Sequence, residues 1–351
     1  MPVNTGLAGV SNDFLLAAVV VYALAMLAYA CDFAFGNKQV TAASAARVPA
    51  LVGAESAGVA GGAPGDEGAA GMPGPGPGQM PGAGAAQSPR QGFRQRSLSR
   101  WVTIAVTLTC GGLAAHLAGV VTRGLSVHRL PWGDMYEFVT ALTCVAVTFF
   151  LAVMIRYRAY YMGLFVMTAV VIVLGLAETI IYTPAGPLVP ALQSYWLAIH
   201  VTAMTLATGV FFVAAVIGIT YLILDRHARR VAAGRPAGSD GIIRRLPGPE
   251  ALDRLAYRAV VFGFPIWTFG VMAGAIWADR AWGSYWSWDP TETWAFITWV
   301  VYACFLHARA TAGWRGRRAA FIQLAGFGCL IFNVLVVSLI IPGLHSYAGL
   351  T

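Results

Sequence analysis

The sequence predicts an all-α polytopic membrane protein of about eight transmembrane helices, with both termini outside. Three observations predict it. Of 351 residues, 58% are hydrophobic and 11% charged, and the mean hydropathy is +0.67, outside the range of a soluble globular chain. Apolar runs long enough to cross a bilayer, about 20 residues each, recur near 14–35, 101–122, 135–155, 159–181, 195–224, 259–278, 292–308 and 319–341. Lys and Arg concentrate in alternate loops: 20 of the 23 lie between Lys38 and Arg100, at Arg156 and Arg158, between Arg226 and Arg258, or between Arg309 and Arg318. Short cytoplasmic loops retain positive charge, so those loops read as inner and the remaining ones as outer.

Taken in order, residues 1–36 read as a first transmembrane helix. The leading MPVNTGLAGVSNDF has no basic n-region, so the run is expected to stay in the membrane rather than be cleaved as a signal. Residues 37–99 hold GGAPGDEGAAGMPGPGPGQMPGAGAAQSP, rich in Gly, Pro and Ala with no apolar period, and read as a disordered cytoplasmic linker. Residues 100–351 read as a seven-helix domain. Within it, RLPGPEALDRLAYRAV reads as a short amphipathic helix lying along the inner surface. The formal charge of +8 is spread over inner loops facing the cell membrane, where anionic lipid headgroups account for it without a nucleic-acid partner. Cys31, Cys110, Cys144, Cys304 and Cys329 form no CxxC pair, which argues against thiol redox chemistry and a structural zinc site.

The outer loop 282–294, WGSYWSWDPTETW, carries the oddest composition. Six of the eleven tryptophans, Trp277, Trp282, Trp286, Trp288, Trp294 and Trp299, fall within 23 residues. Interfacial belts explain one or two such rings, and DPTE reads as a helix start, with Asp289 at the N-cap, Pro290 first and Glu292 third. That start clamps the aromatic loop rigidly onto the next helix. A rigid shelf of indoles with Tyr285, Gly283 and Ser284 suits a large, flat, hydrophobic ligand such as a porphyrin.

A haem iron takes imidazole as its usual axial ligand. His200, in SYWLAIHVTAMT, and His345, in PGLHSYAG, both fall at the outer level, on either side of the tryptophan loop in sequence. His307 lies near the inner end of its helix, on the order of 20 Å from the loop at 1.5 Å per residue, so it cannot share a haem with them. His116 and His128 read as packing or surface residues, and His227 as a solvated side chain. The residues alone leave two alternatives open: a membrane haem b electron-transfer subunit, and a transporter whose aromatic loop gates a small substrate.

WGSYWSWDPTETWAFITWVVYACFLHAR, together with SYWLAIHV, GLHSYAG and LPWGDMYEF, resembles the WWD motif and flanking segments of the CcsA (ResC, or CcsB in some bacteria) cytochrome c biogenesis proteins. These are haem-handling membrane proteins of System II, and the similarity spans roughly 100–351. It implies haem b as the cofactor and iron ligation by His200 and His345. Trp282, Trp286, Trp288 and Asp289 would form the haem platform, with Tyr285 and Trp294 beside it. It implies that His307 pairs with a histidine of a ResB/Ccs1-type membrane subunit. It further implies a share in holocytochrome c synthase activity toward CxxCH apocytochrome c, with a thioredoxin-like thiol reductant pathway acting indirectly.

Overall fold

A computed structural model describes residues 2–45, 99–188, 192–234 and 246–345, so most of the expected linker lies outside the described residues. The described chain is helical throughout its regular structure. Its long helices are α1 (Thr5–Ala45), α2 (Arg100–Ser126), α3 (Met135–Tyr157), α4 (Gly163–Thr179), α5 (Tyr195–Ala232), α6 (Pro249–Trp282), α7 (Pro290–Thr311) and α8 (Arg317–Phe332). A π turn at Asn333–Val337 carries α8 into Ser338–Ile340.

Seven of these helical stretches are long and apolar enough to cross a membrane. The eight-helix expectation differs at α7, whose 22 residues include Trp294, Thr298, Trp299, Tyr302 and His307. These side chains lower its hydropathy without shortening it. Two boundaries also differ. The first helix continues past residue 36 to Ala45, and the segment expected to lie along the surface is the first turns of α6, continuous with its apolar part.

Helix starts follow the local chemistry. Ser99 caps α2 by accepting from the Val102 N–H, and Asp134 caps α3 by accepting from the Glu137 N–H. Gly283, at φ 75°, ends α6 and turns the chain into the tryptophan loop. Helix α1 packs tightly on α2 because α2 presents glycine: a Cβ at Gly112 would stand 2.6 Å from the Tyr22 ring, and one at Gly119 would stand 2.7 Å from Leu15. One buried core joins Tyr22, Phe150, Met154, Val170 and Ile217. A second joins Phe211, Trp267, Tyr302, Phe305 and Leu330, with Phe211 stacked on Tyr302 at 4.0 Å between ring centroids.

Ion pairs brace each end. At one end Arg123 and Arg129 close on Glu137 at 3.1 and 2.6 Å, all nearly withdrawn from solvent. At the other, Arg309 grips Asp253 through two bonds of 2.8 and 2.9 Å. The first brace locks the 127–134 loop against the start of α3, and that loop forms part of the wall described next.

Candidate functional site

His200 sits in the second turn of α5 and reaches across to α6, where its Nδ1 lies 2.7 Å from the Gly270 carbonyl oxygen. A carbonyl can only accept, so Nδ1 carries the proton and the lone pair is on Nε2. The close approach depends on small residues in α6: a Cβ at Gly274 would fall 2.6 Å from His200 Cε1 and Nδ1.

His345 follows α8, and its Nδ1 lies 2.8 Å from Asp289 Oδ2. The same carboxylate accepts from Leu344 N at 2.6 Å and from Thr291 N at 3.0 Å. One side chain therefore caps α7 and anchors the end of the chain that carries His345. Burial alone would raise the Asp289 pKa, but the His345 and backbone hydrogen bonds outweigh it and hold the carboxyl below its ordinary value. As an ionised acceptor it places the proton of His345 on Nδ1, the orientation in which a carboxylate prepares an imidazole to ligate through Nε2.

Trp277 packs against both histidines. Its ring is stacked on His200 at 6.0 Å with planes 18° apart, and it meets His345 edge-on at 5.9 Å. Trp282 closes the group, 4.7 Å from Trp277 and 5.3 Å from His345. Two cavities of about 150 and 100 Å³ share His200, Met204, Thr291, Asn333 and His345 in their walls. Trp132 and Asp134 line the first; Trp277, Trp282, Tyr285 and Trp286 line the second.

Most sequence-predicted residues thus converge, and two of the tryptophans do not. Trp288 is 70% exposed and adopts a left-handed φ of 58°, touching Trp286 at 5.6 Å rather than a cavity. Trp294 packs on Phe332 at 4.4 Å, joining α7 to α8. His307 is exposed near the far end of α7 and is not brought to this site. His116 is fully buried beside Tyr22, at 3.4 Å, and serves packing between α1 and α2.

Sequence reasoning missed Trp277 as a site residue, because in the sequence it is one of six clustered indoles. It also missed Asn333, whose Nδ2 donates to the Thr291 carbonyl at 3.1 Å from the π turn of α8. Such a turn is a feature frequent at functional sites, but no apolar periodicity announces it.

The model of the cytochrome C assembly protein family matches residues 132–345. The chain is 36% identical over 256 residues to the cytochrome c biogenesis protein CcsA of Heterosigma akashiwo, covering 65% of this chain and 80% of that one. It is 34% identical over 285 residues to CcsA of Gloeobacter violaceus, covering 67% and 83%.

This chain belongs to the CcsA family of cytochrome c biogenesis proteins.

CcsA of Chlamydomonas reinhardtii is 47% identical over 163 residues, 46% of this chain and 43% of that one. The solved cytochrome c heme lyase CcmF aligns over 96% of this chain and 47% of its own, with a TM-score of 0.59 and 15% identity, a likeness of fold alone. In this CcsA-family member the matched segment begins at Trp132 and ends at His345, two residues that line the same cavity. The chain is a multi-pass membrane protein with a role in cytochrome c maturation.

Proposed function

We propose that this chain holds haem b at the outer face of the cell membrane, where His200 and His345 would ligate its iron, and presents it for attachment to apocytochrome c. The observation that carries this reading is the matched preparation of two imidazoles. Each has its Nδ1 engaged by an oxygen, from Gly270 or from Asp289, which directs Nε2 toward a metal. Among the described residues no cluster of three or more His, Cys, Asp or Glu gathers to hold a bare ion, and two axial nitrogens suit an iron whose other positions a porphyrin fills.

The aromatic walls fit the same group. Trp277, Trp282 and Trp286 offer flat apolar contact, while the cavities, at about 150 and 100 Å³, are smaller than the roughly 300–1,000 Å³ of ordinary ligand clefts. Taking a porphyrin therefore requires the walls around the two cavities to open. Haem, when bound, supplies the iron and the two vinyl groups. Those vinyl groups are where two substrate thiols of a CxxCH segment would add, sulfur to one carbon and hydrogen to the other, with no net redox change.

The residues of this chain supply position rather than a nucleophile. Trp277 packs against both histidines, Asp289 keeps His345 in one tautomer, and exposed Trp288 and Tyr285 face the incoming substrate. In this reading the basic loops face the cytoplasm and His307 meets a ResB-type partner subunit. Family membership favours this assembly role over the electron-transfer and transporter alternatives.

The test is the absorption spectrum of the detergent-purified complex with its companion subunit, under reducing conditions. Wild type should show a low-spin bis-histidine haem b that His200→Ala and His345→Ala each abolish and added imidazole restores. An unchanged spectrum in both variants would remove the site.

A further inference from the structure

The end of the bundle opposite His200 holds a larger cavity, about 500 Å³, between the end of α3 and the start of α6. We propose that it seats the headgroup of an anionic phospholipid. Three guanidinium groups line it: Arg158, Arg254 and Arg258.

Local structure places each of them. Arg158 ends α3 by adopting φ 53° and ψ 36°, the left-handed conformation that residues other than glycine seldom take. Arg254 and Arg258 stand one turn apart on the same face of α6. Arg258 donates to the Tyr157 hydroxyl at 3.4 Å and lies over that ring at 6.0 Å, which holds its planar fork in place.

The nearby acids do not neutralise the group. Asp253 is taken by Arg309 at 2.8 and 2.9 Å and by the Gly316 N–H at 3.0 Å. Glu250 reaches Arg254 only at 3.7 Å, with side chains 88% and 63% exposed, a pair of little strength. Guanidinium forks match phosphate oxygens in geometry and charge.

A phospholipid rather than a free phosphate is favoured by what adjoins the arginines. Tyr161, Leu246 and Leu255 form an apolar half of the wall. One turn deeper, Ile155 on α3 and Phe262 on α6 are 69% and 53% exposed, a track for acyl chains beneath the charged seat. Basic pockets between helices at the cytoplasmic side hold anionic headgroups in this manner. The inference stands apart from the haem reading and needs neither histidine.

The full chain is purified, delipidated and returned to nanodiscs of phosphatidylcholine with or without phosphatidylglycerol. Retained lipid is counted by native mass spectrometry and melting temperature is followed in parallel. Wild type should keep one phosphatidylglycerol in preference to phosphatidylcholine and melt higher with it, whereas soluble glycerol phosphate should do neither. The Arg158→Gln/Arg254→Gln/Arg258→Gln variant should lose at least about tenfold of that preference, while Arg230→Gln keeps it. If the triple variant does not fold, Arg254→Gln alone should show a partial loss. Equal retention of the two lipids by wild type, an undiminished preference in the arginine variants, or an equal effect of glycerol phosphate would overturn the proposal.

Discussion

Asp289 and His345, 56 positions apart in the chain, meet at 2.8 Å through Oδ2 and Nδ1, while the other carboxylate oxygen accepts from the Leu344 backbone. A helix cap and the anchor of His345 are thus one residue.

Asp289→Asn separates the two roles. Asparagine caps a helix about as well as aspartate, so the fold should hold, with the melting temperature at pH 7 lowered only by the stabilisation that the ionised carboxylate contributes. The charge that orients the imidazole is gone, and haem affinity should fall by about 10–100-fold, measured by haem titration. Since the folded-state pKa of Asp289 is depressed, its stabilisation is present above the unfolded value near 3.9 and is lost only as pH falls through the lower folded value. The Asn variant should therefore lack that acid-limb loss in a thermal melt.

Gly274→Ala tests the placement of His200. In a helix interior alanine is favoured over glycine by about 1 kcal/mol, so α6 itself gains. The added Cβ would stand 2.6 Å from the imidazole and displace it. The expected result is a folded complex whose bis-histidine spectrum is lost or converted to high spin. An unchanged spectrum would mean that the ring tolerates displacement.

Asp134 lies in the wall of the first cavity. Burial, and then the adjacent Glu137 carboxylate, push its pKa up to about 6 despite Arg123 and Arg129. A folded-state value above the unfolded one means that ionisation weakens the fold. That loss is fully present above pH 6 and disappears as pH falls toward about 4. Asp134→Asn keeps the cap on α3 and cannot ionise, so it should melt higher than wild type at pH 8 and at the same temperature near pH 4.

Trp288→Ala tests presentation. The ring is 70% exposed and lines neither cavity. Haem content should stay at wild-type level while thioether formation, read by haem staining of a co-expressed c-type cytochrome, falls by about tenfold or more. The companion Trp286→Ala, which opens the second cavity wall, should lower haem content as well.

Arg123→Ala should be the most damaging of these substitutions. The arginine is 2% exposed, and its removal takes from the fully withdrawn Glu137 one of its two arginine partners, leaving Arg129 to hold the carboxylate, so the cost should be about 1–3 kcal/mol. Reduced accumulation in the membrane and a lowered melting temperature check it.

The sequence by itself determined the membrane class, the order of the long helices, the start of α7 at Asp289 and Pro290, and a shared level for His200 and His345. Each is legible because it rests on local chemistry: an apolar run of spanning length, a capping side chain, a polar residue at a helix end. The limits of α1, and the continuity of the 249–258 segment with the rest of α6, were not legible. A polar or basic flank does not end a helix when neighbouring hydrogen bonds continue it.

Only the tertiary structure decided which aromatic rings form the site. Composition makes the six clustered tryptophans equivalent, yet packing buries Trp277 against both histidines, sends Trp294 against Phe332 and leaves Trp288 exposed. It also decided that Asp289 serves His345 as well as α7, and that Asn333 enters the site from a π turn. These are contacts between residues distant in sequence, set by which helix faces close on one another, and no local period or propensity encodes them.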